Sequence, residues 1–462
     1  MKLNIKLFFV AFLAFIFWAC EEDLELQPEQ DLSPEAAFAN EAAANASLTG
    51  AYGRILDLDV FGAMPQIIGD FQADNVEFIG SFPTLQDINN SSVIADNGTI
   101  RTIFRDHYRA ILAANAVIQN VPNVNDLGFS EEERAQAIAE AKFIRAIVHF
   151  SLVNLFAQPY TLDNGASPGI TLRLEGAALI GDFPPKDRSS VSEVYDQIEQ
   201  DLLDAVQDLP EVNGRVRAST GAANALLSRL YLYKGDNTNA ADYAQRVLDE
   251  GNYELAGDYT FYNSLTPETV FDIAMSSIDN SRTGSGGWAS FYNPAEDGAR
   301  GDCPFAQDLI DAHEDGDRRF DNLTQVGDNG RIYTTKFPDV VTNADNAPII
   351  RTTEVYLNRA EALVKASNSI QQEAIDIVNM LRDRAGLEAF SASDFASADE
   401  LIATILDERR KELAFEGHRR MDLLRNGESI INGLMPGDDQ TVMPIPIIEI
   451  DQNSSLPQNP GY

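Results

Sequence analysis

Residues 222–248 read AANALLSRLYLYKGDNTNAADYAQRVL, and this stretch predicts the architecture of the chain. Its apolar side chains recur at helical spacing, with Leu226, Leu230 and Tyr233 in the first half and Ala241, Ala244 and Val247 in the second. Gly235 and Asp236 between the halves are turn residues. Small alanines at a helix crossing allow the two axes to approach closely. The stretch therefore predicts two antiparallel helices packed side by side.

A second helical pair of the same kind is predicted nearer the C-terminus, at residues 353–366 and 370–385. Both pairs resemble tetratricopeptide units, in which stacked helical hairpins bury a continuous core. Apolar periodicity and capping residues predict further helices at about 33–56, 99–121, 130–156, 190–209 and 399–425. The Ser130–Glu133 and Ser190–Glu193 pairs match the capping-box spacing. The predicted fold class is all-α, a scaffold of tetratricopeptide-like helical hairpins.

Two long segments without clear periodicity interrupt this scaffold, at about residues 58–98 and 253–351. Such segments are uncommon inside a compact domain unless they carry function or are disordered. The first contains several phenylalanines, including Phe78 and Phe82, and aromatic content of this kind argues against disorder. We therefore expect a single helical domain, residues 32–462, whose long irregular loop insertions are ordered and bind the ligand.

The overall charge is strongly negative. The 462 residues include 72 Asp and Glu against 34 Lys and Arg, which gives a formal net charge of −38. Such a surface repels phosphate backbones and anionic lipid headgroups, so we expect no nucleic acid among the partners. The hydrophobic fraction of 44% is nevertheless that of a globular protein, which excludes wholesale disorder.

The N-terminus has the pattern of a secretory signal peptide, residues 1–19. Two lysines precede an apolar run that ends at Trp18, and this run is too short to span a bilayer as a helix. A small residue precedes Cys20, which predicts cleavage before Cys20 and attachment of lipid to its thiol. Residues 20–31 would then form a lipidated acidic tether. Plain secretion with an unmodified Cys20 is the alternative.

The sequence contains no recognisable motif for catalysis, zinc binding or phosphate binding. The four histidines are far apart, and His107 and His149 lie on apolar helix faces, where we expect core histidines. Cys303 is the cysteine that remains beside Cys20, and it has only His313 near it in the sequence, so we do not expect a catalytic thiol. A pair of glycosidase carboxylates could be present among so many acids, but no pair stands out. We expect no enzymatic activity.

One acidic cluster has the residue types of a cation site. It consists of Asp311, Glu314, Asp315 and Asp317. Carboxylate oxygens are the ligands that calcium prefers, but the spacing does not match an EF-hand loop. The main expectation is therefore solvated loop acids, with calcium as the alternative and no other cofactor.

A glycine-rich segment in the second insertion suggests a binding site. Residues 284–293 read GSGGWASFYN, and Trp288 is the one tryptophan left after removal of the signal peptide. Aromatic faces stack on the apolar faces of sugar rings while neighbouring amides bond the hydroxyls, and each ring buries about 150–250 Å². The predicted glycan-binding residues, with one from the first insertion, are Trp288, Phe291, Tyr292, Asn293 and Phe82. The alternative is that Trp288 or Tyr292 packs into the scaffold and anchors the loop.

Segments along nearly the whole chain resemble the SusD/RagB family of outer-membrane lipoproteins of Bacteroidetes. The most specific are RDRAGL at 382–387, ERRKELAFEGHR at 408–419, and the closing segment that runs from MPIP at 443–446 to Tyr462. The stretch 408–420 also predicts a helix with Arg and Glu paired at i,i+3 and i,i+4, which indicates a structural role. Binding residues vary within the family, so the resemblance assigns none here.

The resemblance implies a helical core of four helix pairs and a function in nutrient capture at the cell surface. The protein would be lipid-anchored in the outer membrane, facing the cell exterior, and would pass oligosaccharide or polysaccharide to a SusC-like TonB-dependent transporter. No bond would be broken. The acidic surface favours a neutral glycan. Two alternatives remain open: a secreted glycoside hydrolase, and capture of another nutrient such as peptide by the same scaffold.

Overall fold

Helices make up most of the described part of the chain, which comprises residues 34–176, 186–281 and 286–462 of the computed structural model. In chain order the α-helices are α1 (Pro34–Ala37), α2 (Glu41–Leu56), α3 (Met64–Phe71), α4 (Pro83–Asn89), α5 (Gly98–Asn120), α6 (Glu131–Phe156), α7 (Val191–Asp208), α8 (Thr220–Lys234), α9 (Asn237–Asp249), α10 (Trp288–Tyr292), α11 (Gln307–Ala312), α12 (Arg318–Leu323), α13 (Thr352–Ser367), α14 (Gln372–Ala385), α15 (Ala398–Leu413), α16 (Arg419–Arg425) and α17 (Ile447–Gln452). The strands are β1 (Thr269–Ile273), β2 (Thr324–Val326), β3 (Ile332–Thr334) and β4 (Ala347–Arg351). This mostly helical architecture confirms the predicted fold class. The predicted signal peptide and the tether with Cys20 lie outside the described residues.

The capping boxes are formed as the sequence predicts. The Ser130 hydroxyl accepts a hydrogen bond from the Glu133 amide at 3.2 Å, and the Glu133 carboxylate accepts one from the Ser130 amide at 2.9 Å. Ser190 and Glu193 make the same exchange at the start of α7. Each box satisfies amide donors that the first helical turn leaves without partners. The first predicted helix is interrupted after α1, and the Asn40 side chain caps α2 instead.

The long helices pack in pairs along one stack. The pairs are α2 with α5, α6 with α7, α8 with α9, and α13 with α14, and neighbouring pairs contact each other through α5–α6, α7–α8 and α9–α13. Fully buried small and branched side chains, such as Ala222, Leu226 and Ala244, fill the crossings. The result is the tetratricopeptide-like arrangement of four helix pairs. In the described ranges, no helix combines the length and the hydropathy needed to traverse a bilayer.

The two insertions are more regular than the sequence suggested. Residues 58–98 contain a π-helical turn, α3 and α4, and they contribute Phe61 and Phe71 to the hydrophobic core. Within 253–351, β1 pairs with β4 and β2 pairs with β3, both in antiparallel register. Burial of their apolar side chains against the helical stack explains why these segments fold despite weak periodicity.

The prediction of one continuous helix over 399–425 is wrong. Helix α15 ends at Leu413 and α16 begins at Arg419. Between them Phe415 and Gly417 adopt left-handed backbone conformations, with φ of 66° and 80°. The backbone at Gly417 packs directly on α3, since a Cβ atom there would lie 2.7 Å from the Gln66 Cα. The break therefore lets the chain turn and pack closely against α3.

Buried ion pairs fasten both the second insertion and α14 to α15 and the turn that follows it. The acids and their partners are Glu408 with Arg319 and Arg382, Glu412 with Arg384, and Glu416 with Lys336 and Arg351. The expectation of pairing along the helix holds only for Lys411, which contacts Asp407 and Glu408. The structural role of the charged stretch is thus confirmed, but its main partners come from other elements.

Candidate functional site

Trp288 lies in the core, so the expectation of an exposed indole is wrong. Only 2% of the residue is accessible, and its ring centroid lies 4.7 Å from that of Phe337. Its indole N–H is buried and has no hydrogen-bond partner within the described part of the chain. The alternative interpretation, in which the tryptophan anchors its loop to the scaffold, is the one that the structure shows. Gly284 and Ser285 before it lie outside the described residues.

Phe291, Tyr292 and Asn293 are also buried, and for them too the predicted exposure is wrong. The Tyr292 hydroxyl donates to Asp70 Oδ2 at 2.5 Å, and the Asn293 amide donates to the Phe337 carbonyl at 2.6 Å. Burial raises the pKa of Asp70 to about 7 and raises that of the Tyr292 phenol. These side chains build the floor beneath the loops and do not face solvent.

Phe82 is the predicted binding residue that remains on the surface. It precedes α4, whose first helical residue is Pro83, and 54% of it is accessible. Ile79, three residues earlier, is exposed as well. An exposed aromatic ring next to an exposed aliphatic side chain is the type of surface on which a sugar ring can stack.

The two insertions meet at this point. Val76 forms a β-bridge with Phe305, and the Ile79 amide donates to the Asp302 carbonyl at 2.9 Å. The Gln325 side chain donates to Asn293 Oδ1 at 3.0 Å, and the Asp328 amide donates to Glu296 Oε1 at 2.5 Å. We call the surface formed by residues 77–82, 293–302 and 325–331 the loop cluster.

Arg300 joins the exposed ring to the buried floor. Its guanidinium carbon lies 4.4 Å from the Phe291 ring centroid and 5.9 Å from the Phe82 ring centroid. Its Nε donates to Asp302 Oδ2 at 2.6 Å, which fixes the orientation of the guanidinium. The sequence does not single out Arg300, because it is one of six arginines in the insertion 253–351 and only its contacts with the two rings distinguish it.

The chain matches known families over most of its length. The family described as "Starch-binding associating with outer membrane" matches residues 24–232, and the SusD family matches residues 327–462. The first match covers α1 to α7 and most of α8, and the second covers α13 to α17. This chain belongs to the SusD/RagB family. The resemblance seen in the sequence is thereby confirmed.

Full-length SusD-type proteins are similar in sequence and in fold. SusD-like protein P2 of Formosa agariphila is 29% identical, over 95% of this chain and 96% of that protein. A SusD superfamily structure from Bacteroides thetaiotaomicron has a TM-score of 0.82 and 25% identity, covering 91% of this chain and all of that one. A laminarin-binding SusD-like protein shares the fold, with a TM-score of 0.75 and 24% identity over 92% of this chain and all of that one.

The loop cluster of this SusD-family protein combines its exposed ring with acids and amides. Glu296, Asp297 and Asp328 are exposed, and Glu77 forms an ion pair with Arg331. Carboxylates and amides of this kind bond sugar hydroxyls. Cys303 below the cluster is a buried free thiol whose pKa is raised by burial, so it does not present a thiolate to solvent.

Two of the four acids in the cluster at residues 311–317 form ion pairs. Asp317 is fully buried against Arg319 and His313, which together hold its pKa well below the ordinary range. Glu314 pairs with Arg382. The expectation of solvated acids is therefore wrong for Asp317. Across the described ranges, no group of three or more His, Cys, Asp or Glu side chains is arranged to hold a metal ion.

Proposed function

We propose that this SusD-family protein captures glycans at the loop cluster and does not cleave them. The structural observation that carries the proposal is the Phe82 ring, exposed beside Arg300 where both insertions meet. The family description of starch binding in association with the outer membrane supports it. The laminarin-binding fold relative supports the choice of ligand class. Shallow stacking on one ring, with hydroxyl bonds to the surrounding polar groups, is the expected mode of binding.

We further propose that the preferred ligand is a neutral glycan. The exposed acids of the loop cluster place negative charge around Phe82, and the whole chain is strongly acidic. A uronate or a sulfate ester would meet repulsion at this surface, whereas a hydroxyl would not.

The proposed cell biology follows from the N-terminus and the family. Cleavage before Cys20 and lipidation of its thiol would anchor the protein in the outer membrane, facing outward. A SusC-like TonB-dependent transporter would then receive the glycan. Metabolic labelling with a fatty acid, compared between the natural chain and Cys20→Ala, tests the anchor. Co-purification with the transporter from detergent-solubilised outer membranes tests the partner.

Affinity electrophoresis against neutral polysaccharides, starch and laminarin among them, tests the binding site. Phe82→Ala should weaken retention about tenfold, a loss of about 1.4 kcal/mol, because the stacking surface is removed. Ile94→Ala is the matched control, since Ile94 is 61% exposed in the same insertion but lies outside the loop cluster. Equal retention of Phe82→Ala and the control would reject the site.

A separate measurement tests the absence of cleavage. Purified protein without residues 1–19 should release no reducing ends from any polysaccharide that it retains. Sustained release at a rate that depends on protein concentration would favour the glycoside hydrolase alternative. Retention of peptides with no retention of any polysaccharide would favour capture of a different nutrient.

A further inference from the structure

A half-open cavity of about 110 Å³ lies between elements of the scaffold, and none of its lining residues belongs to the loop cluster. Its walls come from the π-helical turn near Phe61, from α3, α6, α8 and β4, and from the turn after α15 with the start of α16. The charged and polar side chains that line it include Gln66, Arg229, Glu416, His418 and Arg420. A volume of this size has room for several water molecules or for a small ion with its water.

Arg420 differs from Arg229, the other arginine that lines this cavity, and from Arg425 in its own helix α16. Arg229 is held by Glu354, and Arg425 by Glu361. Arg420 is only 2% exposed, yet in the described part of the chain no carboxylate lies within 4 Å of its guanidinium. A buried charge without a counter-charge is costly, and an oppositely charged group beside it is the usual remedy.

Three neutral oxygens bind the Arg420 guanidinium. Nε donates to Gln72 Oε1 at 2.8 Å, Nη1 donates to the Asn154 carbonyl at 2.7 Å, and Nη2 donates to the Thr441 carbonyl. A guanidinium has five N–H groups, and Nη1 also donates to the Met421 thioether Sδ at 3.4 Å, which is a weak acceptor. Within the described residues, one N–H group therefore has no acceptor. The positive charge is offset by neutral dipoles, one of them the Asn154 carbonyl in the last turn of α6, and not by a carboxylate.

Gln66 supplies a second group with unused hydrogen-bonding capacity. Its Oε1 is buried and has no hydrogen-bond partner among the described residues, although Gln66 lines the cavity. The two ends of a glutamine amide exchange places by a half-turn about the last side-chain bond, so the NH₂ group can face the cavity instead. A cavity ligand that accepts hydrogen bonds would then satisfy both Gln66 and Arg420.

We propose that this cavity is a binding site for a small inorganic anion such as chloride, held by the Arg420 guanidinium and the Gln66 amide. Glu416 is the one acid among the lining residues, and its carboxylate is already engaged by Arg351 and Lys336. The His418 ring is neutral at neutral pH, because burial lowers its pKa to about 4. The balance of charge along the wall therefore favours an anion, which would supply the missing counter-charge of Arg420.

The solution test measures thermal unfolding while chloride replaces methanesulfonate at constant ionic strength, with no glycan present. A site with a dissociation constant of about 10 mM should raise the melting temperature by about 2 °C at 200 mM chloride. Arg420→Gln should lose this rise. Arg188→Gln is the matched control, since Arg188, like Arg420, donates to carbonyl oxygens and forms no ion pair within the described residues, but it does not line the cavity. It should keep the rise.

Two further tests do not depend on whether Arg420→Gln folds: a second variant, and direct observation of the bound anion. Gln66→Leu keeps the guanidinium but removes the amide, and it should reduce the chloride-dependent rise by half or more. Crystals of the natural chain soaked in sodium bromide should show anomalous density beside Arg420. Water alone in the cavity, or a chloride effect that persists unchanged in Gln66→Leu, would overturn the proposal.

Discussion

Single side chains show why the candidate site was only partly predictable. The glycines before Trp288 are too small to cover the indole, so the local sequence favours an exposed ring. Its cover comes instead from Phe337, 49 residues further along the chain. Tyr292 is likewise covered by Asp70 and Phe415 from other elements. Local sequence shows which residues are large and aromatic, but the partners that bury them are set by tertiary contacts.

Asp70 gives a prediction about pH. Its pKa is raised to about 7 by burial, so the folded protein holds a proton that the unfolded chain releases above about pH 4. Asp70 therefore contributes less stability as the pH rises from about 4 to 7. In urea unfolding, the natural chain should lose about 2 kcal/mol more than Asp70→Asn between pH 5 and pH 7.5. The asparagine keeps an oxygen to accept from Tyr292, and parallel pH profiles would contradict the assignment.

Among the helices, α13 and α16 are joined by a buried ion pair that yields a second prediction. Arg425 donates to both oxygens of Glu361, at 2.5 and 2.7 Å, and these charges hold the pKa of Glu361 at about 2. Glu361→Gln removes the carboxylate that pairs with Arg425 and leaves a buried positive charge without its main counter-charge. We therefore expect the free energy of unfolding to fall by about 3–5 kcal/mol.

The control for Glu361→Gln is Glu373→Gln, which removes the acid of a partly exposed ion pair between neighbouring helices. Arg359 Nε lies 2.5 Å from Glu373 Oε1, but the Glu373 side chain is half exposed. Glu373→Gln should cost less than about 1 kcal/mol, because solvent screens the pair. Similar losses for the two variants, measured by denaturant unfolding at neutral pH, would show that the buried network does not stabilise the fold in this way.

The turn between α15 and α16 yields a third prediction. Gly417 and Gly427 both have positive φ, 80° and 76°, so alanine at either position should cost about 1–2 kcal/mol in backbone strain. Only Gly417 is also crowded: its added Cβ would lie 2.7 Å from the Gln66 Cα, whereas Gly427 has nothing within 4 Å. Gly417→Ala should therefore destabilise the protein by about 2 kcal/mol more than Gly427→Ala, as measured by urea unfolding. Equal losses would mean that α3 moves aside without cost.

These elements also show which parts of the fold could be predicted from sequence. Capping boxes and apolar periodicity are local signals, and they located α6, α7, α8 and α9 closely. The break after Leu413 was missed because the run of Arg, Lys and Glu continues through it at helical spacing. The turn is stabilised by contacts with α3, more than 340 residues away in the chain. The ion-pair partners of that run were missed for the same reason.

For the molecule as a whole, the convergence of the two insertions is the feature that creates a candidate site. Residues 58–98 and 253–351 were each predicted to bind ligand, but nothing in either segment indicated that they would meet. The bridge between Val76 and Phe305 brings them together and places Arg300 beside Phe82. Phe82 was thus predictable as a residue type, and its surroundings were not.

The charge of the whole molecule gives the last prediction. The formal net charge is −38, and exposed acids, Asp328 among them, lie in the loop cluster with Phe82. A neutral polysaccharide should bind with an affinity that does not change between 20 and 500 mM salt. Its sulfated derivative should bind more weakly at low salt and recover as salt screens the repulsion, since the Debye length falls from roughly 20 Å to about 4 Å over that range.

A matched pair of variants separates local charge from total charge. Asp328→Asn removes an acid from the loop cluster, and Asp242→Asn removes an exposed acid from α9. Both change the net charge by the same amount, but only Asp328→Asn should improve retention of the sulfated glycan at low salt, because its charge lies nearer the bound chain. Tighter binding of the sulfated glycan than of the neutral one at low salt would contradict the proposed preference, whatever the variants show.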